Sequence, residues 1–315
     1  MDNIIFIGTN NFANNILKTI IEKKNNIKGI FTKPQAKIGR GKKLCKYPVQ
    51  ITAENKNINL YTPENINSEE NIKIIKKLKP SLIIIVEYNK ILSNKIINIP
   101  TFGSINIHPS LLPKFRGPSP IQYAILEGEK ESGISIIKIN KKIDSGKIIN
   151  FKKCKITKKE TFITLYEKLC KIACNLIIKT IKQIKNNKIV FKKQNNKKAT
   201  YAPKIEKKLL KINWDESSCY IERKIRALIS SNQSCFTIIK KNYIKILSAV
   251  IIKSKIKKKK EPGTIIGFNK NGINVSTKDN IIRIKKIQFQ GKKPINSTDI
   301  FNSKKELFIK GSKFE

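Results

Sequence analysis

Leu82-Ile83-Ile84-Ile85-Val86 is an uninterrupted apolar run. A strand with one wet face alternates apolar and polar residues, so a continuous run of this kind predicts a strand covered on both faces. Asn3 to Ile7, closed by Gly8, and Ile27 to Phe31 have the same character, and Ser104 to Ile107 is a further strand. Helical spacing lies between them: Phe12 to Lys23 places Phe12, Ile16 and Ile20 on one side, and a second helix covers Glu69 to Leu78. Such alternation predicts an α/β fold, an open, mostly parallel, Rossmann-like sheet with helices on both faces. The link after the first strand, Gly8-Thr9-Asn10-Asn11-Phe12, lacks the glycines of a dinucleotide fingerprint, which argues against NAD.

Further on, Ile134 to Ile139 and Lys147 to Phe151 read as two strands around an irregular turn. Thr161 to Ile184 is the strongest helical pattern, with Leu165, Leu169, Ile172 and Leu176 as its apolar positions. Gln194 opens a polar stretch, so the expected division is residues 1–193, a linker over 194–208, and a second domain over 209–315. Beyond Trp214 one helix, Ser218 to Leu228, precedes short strands around Thr237, Ile244, Thr264, Ile273 and Ile282, with turn signals at Asn271-Gly272 and Asp279-Asn280. Short strands at near-even spacing predict a smaller β-barrel, OB-like, a shape suited to nucleic acid. Lys253 to Lys260 reads as an exposed loop.

The 315 residues include 66 Lys+Arg against 22 Asp+Glu, a formal charge of +44. Polyanions are the natural partners of such a chain, because neutralised phosphates release counterions. The lysines run from end to end, however, and compositional bias is the competing explanation. The six cysteines show no zinc spacing, and one histidine cannot supply a mixed cluster, so no metal is expected. Cys170 and Cys174 read as small buried residues on one helix; free thiols suit a reducing compartment. Apolar runs are too short to cross a bilayer and the first residues lack a signal-peptide pattern, so a cytoplasmic protein, monomeric by default, is expected.

Chemistry concentrates in Ser104-Ile-Asn106-Ile-His108-Pro-Ser110-Leu-Leu-Pro113-Lys-Phe-Arg116-Gly117-Pro-Ser-Pro120. Asn106 and His108 stand two apart on a strand and point to the same side. Pro109 ends the ladder, and the loop that follows lies at a carboxyl end, where open α/β sheets place ligands. Taken singly, His108 reads as a satisfied, partly buried histidine and Asn106 as a turn or cap residue; together they read as a site. His108 is the only histidine, so any imidazole-dependent step must use it. Asp144, in Ile143-Asp144-Ser145-Gly146, reads alone as a turn aspartate.

This segment, with Gly133-Ile-Ser-Ile and Asp144-Ser-Gly146 after it, resembles the signature of the 10-formyltetrahydrofolate-dependent formyltransferases. The resemblance implies Asn106, His108 and Asp144 as the catalytic set. Attack of an amine on a formyl group builds an oxyanion, to which an amide N–H and an imidazolium can donate, while a carboxylate can keep the imidazole protonated and take the amine's proton. It also implies a folate site lined by Ser110, Leu111, Leu112 and Pro113, with Val86, Tyr88 and Ile139 framing the pterin. No metal is required.

The acceptor is read from other residues. Thr32 to Leu44 contains Gly39-Arg40-Gly41-Lys42-Lys43, similar to the inserted loop of the family branch that formylates initiator methionyl-tRNA. That likeness implies Arg40, Lys42 and Lys43 as tRNA contacts; a solvated basic loop is the alternative. Ile212-Asn-Trp214, Glu222-Arg-Lys-Ile-Arg226, Pro262-Gly-Thr-Ile265 and Gln290-Gly-Lys-Lys293 extend the likeness. An amino-sugar nucleotide as acceptor, or a decayed enzyme that only binds tRNA, are the rival readings. Glu87-Tyr88-Asn89 departs from the family's Ala-Tyr-Gly, and Ser231 to Phe236 replaces a Pro- and Trp-rich stretch.

Overall fold

The computed structural model describes residues 3–38, 43–230, 233–253 and 260–315. The chain forms two compact units, one of Met1–Pro120, Glu131–Lys155 and Glu167–Pro203, the other of Ile121–Lys130, Ile156–Tyr166 and Lys204–Glu315.

The elements of the first half, in chain order, are β1 (Ile4–Gly8), α1 (Asn11–Glu22), β2 (Ile27–Phe31), β3 (Ala36–Ile38), β4 (Lys43–Cys45), α2 (Pro48–Asn55), β5 (Leu60–Tyr61), α3 (Glu69–Lys77), β6 (Leu82–Val86), α4 (Asn94–Ile97) and β7 (Ser104–His108). α5 (Pro120–Leu126), β8 (Glu131–Lys138), β9 (Ile148–Lys155) and α6 (Phe162–Lys185) follow. A seven-stranded sheet runs β5-β2-β1-β6-β7-β8-β9. β5, β2, β1, β6 and β7 are parallel, and β8 and β9 join antiparallel, which matches the mostly parallel sheet expected.

The continuous runs are covered on both faces as their composition requires. Ile4, Ile5, Phe6, Ile7, Leu82, Ile83 and Ile84 have no exposed surface. Burying each such side chain contributes about 1.5–3 kcal/mol before chain entropy is counted. One face holds Ile5, Ile7, Ile83, Ile85 and Tyr88 against Ile72 and Ile75 of α3 and Ile96 of α4. α3 begins at Ser68, whose side chain accepts from the Asn71 N–H, and its acidic first turn and basic last turn complement the helix dipole. β9 is the far edge, where exposed Lys152, Lys153 and Lys155 discourage another strand from adding.

The second unit holds α7 (Lys207–Leu210), α8 (Ser218–Leu228), β10 (Cys235–Ile239), β11 (Asn242–Ile252), β12 (Ile265–Asn269), β13 (Gly272–Ser276), β14 (Ile281–Phe289), β15 (Ile295–Asn296) and α9 (Ser297–Ser303). Its strands form a six-stranded antiparallel sheet, β10-β11-β14-β13-β12 with β15 on β14, and a bulge between Ile246 and Ala249 bends β11 against β14. Trp214 is buried, stacks on Phe314 at 5.4 Å between centroids and donates from Nε1 to Thr237 Oγ1 at 3.1 Å. Arg226 makes a two-point pair with Glu222 at 2.6 and 2.8 Å. The motif residues Trp214, Glu222 and Arg226 thus have structural work inside this unit. All six cysteines are free. Among the described residues no helix is long and apolar enough to cross a membrane.

The hairpin β3–β4, the short β5, α2, α4, α5, β15 and α9 were not apparent in the sequence pattern. Most of the Lys253 to Lys260 stretch, residues 254–259, lies outside the described residues, as do residues 231 and 232 of the Ser231 to Phe236 stretch.

Candidate active site

β7 delivers Asn106 and His108 to the carboxyl end of the sheet. In register they lie beside Ile85 of β6, Ile137 and Ser135 of β8: Asn106 pairs with Ile85 and Ile137, His108 with Ser135. Both therefore stand on the face that carries Ile83, Ile85 and Tyr88, as their two-residue spacing requires.

Asp144 arrives from the turn between β8 and β9 and meets both. Its Oδ1 accepts from Asn106 Nδ2 at 3.2 Å, and its Oδ2 lies 3.5 Å from His108 Nδ1. The backbone N–H of Gly117 donates to Oδ2 at 2.9 Å. His108 is buried, and its Nε2 donates to the Phe115 carbonyl at 2.8 Å. One ring nitrogen is thus committed to the Phe115 carbonyl, and the other faces the Asp144 carboxylate. The Asn106 amide has two N–H donors, of which one is spent on Asp144. Asp144 adopts φ 48° and Phe115 φ 60°, left-handed conformations that cost a residue with a Cβ roughly 1–2 kcal/mol.

Three structural supports hold this arrangement. Ser135 is fully buried: its Oγ accepts from the Leu112 N–H at 3.1 Å and donates to the Ser110 carbonyl at 2.7 Å, bracing the loop after β7. Thr200 accepts the Phe115 N–H on Oγ1 and the Arg116 N–H on its carbonyl, each at 2.9 Å. Gly146 lies so close to the Lys138 carbonyl that an added Cβ would fall 1.6 Å from it, which is why the turn after Asp144 carries no side chain there.

The sequence-derived folate residues divide by accessibility. Leu111, Pro113 and Ile139 are half-buried, whereas Val86 and Tyr88 are enclosed. Ser110 is fully buried and its Oγ donates to the Lys114 carbonyl at 2.6 Å; Leu112 packs with Ile137 and Ile148. Val86, Tyr88 and Ser110 are thus enclosed as whole residues, main chain included. Glu87 adopts φ 48° and is half-buried. Its carboxyl is held by Asn10, next to α1, and lies within electrostatic reach of Cys170 on α6. Burial pushes it up to about 7, against the opposing hydrogen bond from Asn10, and Oε2 has no hydrogen-bond partner.

Of the basic loop, Lys43 opens β4; Arg40 and Lys42 lie outside the described residues. The residue that sequence reasoning passed over is Gln194, whose side chain bonds to the Asp144 turn from a segment read as the start of a linker. Its position after a long helix offers no local signal. The Gly117 N–H, whose bond to Asp144 was likewise not foreseen, does at least lie in the quoted Arg-Gly motif.

The formyl transferase family profile matches residues 2–181, and the family's C-terminal domain matches residues 204–305. The methionyl-tRNA formyltransferase of Buchnera aphidicola subsp. Schizaphis graminum is 40% identical over 305 residues, covering 97% of this chain and 96% of that protein. That of Legionella pneumophila (strain Corby) is 36% identical over 302 residues, covering 96% and 95%. Among solved structures, the N-formyltransferase from Helicobacter canadensis, in complex with folinic acid and dTDP-3-aminofucose, superposes with a TM-score of 0.67 at 25% identity, covering 90% of this chain and 98% of that one. With Asn106, His108 and Asp144 gathered at the strand ends and these likenesses spanning both units, the chain belongs to the methionyl-tRNA formyltransferase family.

Proposed function

We propose that this chain transfers the formyl group of 10-formyltetrahydrofolate to the free amino group of initiator methionyl-tRNA, for translation initiation. The observation that carries the reading is the meeting of Asn106, His108 and Asp144 at the carboxyl end of β7, with Asp144 bonded to Asn106 and facing His108. In this reading the second N–H of Asn106 and the Nδ1–H of His108 donate to the formyl oxygen as negative charge builds there. Nε2 of His108 is engaged by Phe115, so the Nδ1 edge, which it shares with Asp144, is the one that meets the formyl group. Asp144 accepts the proton that the attacking amine loses as its nitrogen bonds to the formyl carbon, and a proton returns to N10 of the donor as the C–N bond breaks and tetrahydrofolate leaves. Leu111, Pro113 and Ile139 supply apolar surface for a flat ring, which the enclosed Val86, Tyr88 and Ser110 frame from within the fold.

Arg40, Lys42 and Lys43 are assigned to the acceptor end of the tRNA. Residues 1–193 are assigned to the donor and the chemistry, 209–315 to holding RNA, and 194–208 to the connection. A charge of +44 supports an RNA partner. We take the protein to act as a cytoplasmic monomer.

The test is transfer of labelled formyl to methionyl-tRNA, with His108→Ala and Arg40→Ala in parallel. Transfer by the parent, loss in His108→Ala, and in Arg40→Ala a loss of tRNA use far exceeding any loss of folate binding are the expected results. Equal loss of tRNA and folate use in Arg40→Ala counts against its role. A folded parent that formylates an amino-sugar nucleotide and not tRNA overturns the acceptor. One that binds tRNA but no folate overturns the enzyme reading.

A further inference from the structure

The Asp144 turn is unusual in needing outside support: its key residue is left-handed and its Gly146 is pressed against a carbonyl. That support comes from Gln194, 50 residues away. Nε2 of Gln194 donates to the Asp144 carbonyl at 2.8 Å and to the Gly146 carbonyl at 2.7 Å. Both hydrogens of one amide nitrogen are thus spent on a single turn.

The orientation of that amide is itself set. Oε1 of Gln194 accepts from Arg116, at 2.8 Å from Nη2 and 3.3 Å from Nε. Arg116 is only 5% exposed, and Nη2 also donates to Asn196 Oδ1 at 2.8 Å. A guanidinium cannot accept, so an amide turned end for end would set NH₂ against N–H groups; the arginine forces the NH₂ end toward the turn. The same stretch of chain supplies Thr200, which holds the backbone on which the His108 Nε2 bond depends.

We infer that Gln194 is a positioning residue for formyl transfer: oriented by Arg116, it clamps the turn that presents Asp144 to Asn106 and His108. The inference rests on the catalytic reading of Asp144 given above. Displacing a reacting group by about 1 Å can cost on the order of 100-fold in rate, so the clamp has a measurable consequence.

Gln194→Glu separates clamping from folding. A carboxylate still accepts from Arg116, now as an ion pair, but it has no donor for the two carbonyls and repels them. The expected result is a melting temperature close to the parent's, the ion pair with Arg116 offsetting the two unpaired carbonyls, with kcat lowered about 10- to 100-fold. KM for methionyl-tRNA and equilibrium binding of 5-formyltetrahydrofolate should move less than about threefold. The pH profile of kcat should be displaced, because the surroundings of Asp144 change. Gln194→Met, similar in size and without polar atoms, serves as the second variant and should also lose kcat. In an Asp144→Asn background the added cost of Gln194→Glu should shrink toward none, since a residue acting through Asp144 has nothing left to position.

An unchanged kcat and pH profile in Gln194→Glu overturns the clamp, as do multiplicative losses in the double variant. A kcat loss that tracks a loss of melting temperature in both single variants, or failure of both to fold, assigns Gln194 a structural role only. If Asp144→Asn is too slow to measure, the single variants' kcat, KM and pH profile decide alone. Full activity of Asp144→Asn, in contrast, removes the reading of Asp144 itself.

Discussion

Asn106 and Asp144, 38 residues apart in the chain, are joined side chain to side chain, the amide Nδ2 donating to Oδ1 at 3.2 Å. One residue comes from a parallel strand end and the other from a turn between antiparallel strands. β8 runs antiparallel to β7 and ends opposite Ile105, so the turn that follows it must fold back along β7 to bring Asp144 to Asn106 and His108. The remaining contacts of the carboxylate, the Gly117 N–H and His108 Nδ1, come from the same strand end and the loop behind it.

Asp144→Asn keeps the size of the side chain and tolerates the left-handed backbone, but it replaces an acceptor of three contacts by an amide. Transfer of formyl to methionyl-tRNA should fall by about 10² to 10⁴ in kcat, with an unaltered far-ultraviolet circular dichroism spectrum. Undiminished turnover would remove Asp144 from the chemistry.

Glu87 should make stability fall as pH rises. Below its ordinary value of 4.5 the carboxyl is protonated whether the chain is folded or not. Between there and about 7 the unfolded chain ionises it while burial keeps the folded one protonated, so stability drops through that window and stays lower above it. A shift of this size corresponds to roughly 3 kcal/mol at pH 8. Glu87→Gln does not titrate, so its advantage over the parent in urea midpoint should grow from pH 5 to pH 8. A difference independent of pH would contradict the account.

At Gly146 even a methyl group should be felt. With an added Cβ only 1.6 Å from the Lys138 carbonyl, the turn must move away from β8. Gly146→Ala should lose about 1–3 kcal/mol in denaturant melts and lose activity as well, because Gln194 and Asp144 share that turn. Parent-like stability would mean the close approach is not kept in solution.

Ser135→Ala leaves the Leu112 N–H and the Ser110 carbonyl without their buried partner. A loss of about 1–3 kcal/mol is expected. The loop it braces is the one assigned to the folate, so KM for the formyl donor should rise while kcat changes little. A pure kcat effect would point away from the folate role of residues 110–113.

Much of the fold could be read from short-range pattern. The limits of β2, β6 and α8 coincide with their apolar runs and helical spacing, and α1, α3 and α6 fall within a residue or two of theirs. These elements are long enough for burial of a continuous or periodic apolar face to specify them. The short ones were not visible, because four residues of α4 or two of β5 cannot hold themselves together without neighbours.

The catalytic set divides in the same way. Asn106 and His108 were adjacent on one strand, so their shared direction followed from the alternation of β structure. Asp144 was reached by resemblance, and its contact with them exists only in the folded chain. Two things were decided by tertiary structure alone: that the Glu87 carboxyl meets Asn10, and that Gln194 bonds to both Arg116 and the Asp144 turn. The sequence set the strands and helices because their periodicity is local, recorded in residues two, three or four apart. A hydrogen bond between residues 50 or 78 apart, as Gln194 makes to Asp144 and to Arg116, leaves no such period. It is fixed by where packing brings the two backbones and by the cost of leaving either polar group buried without a partner.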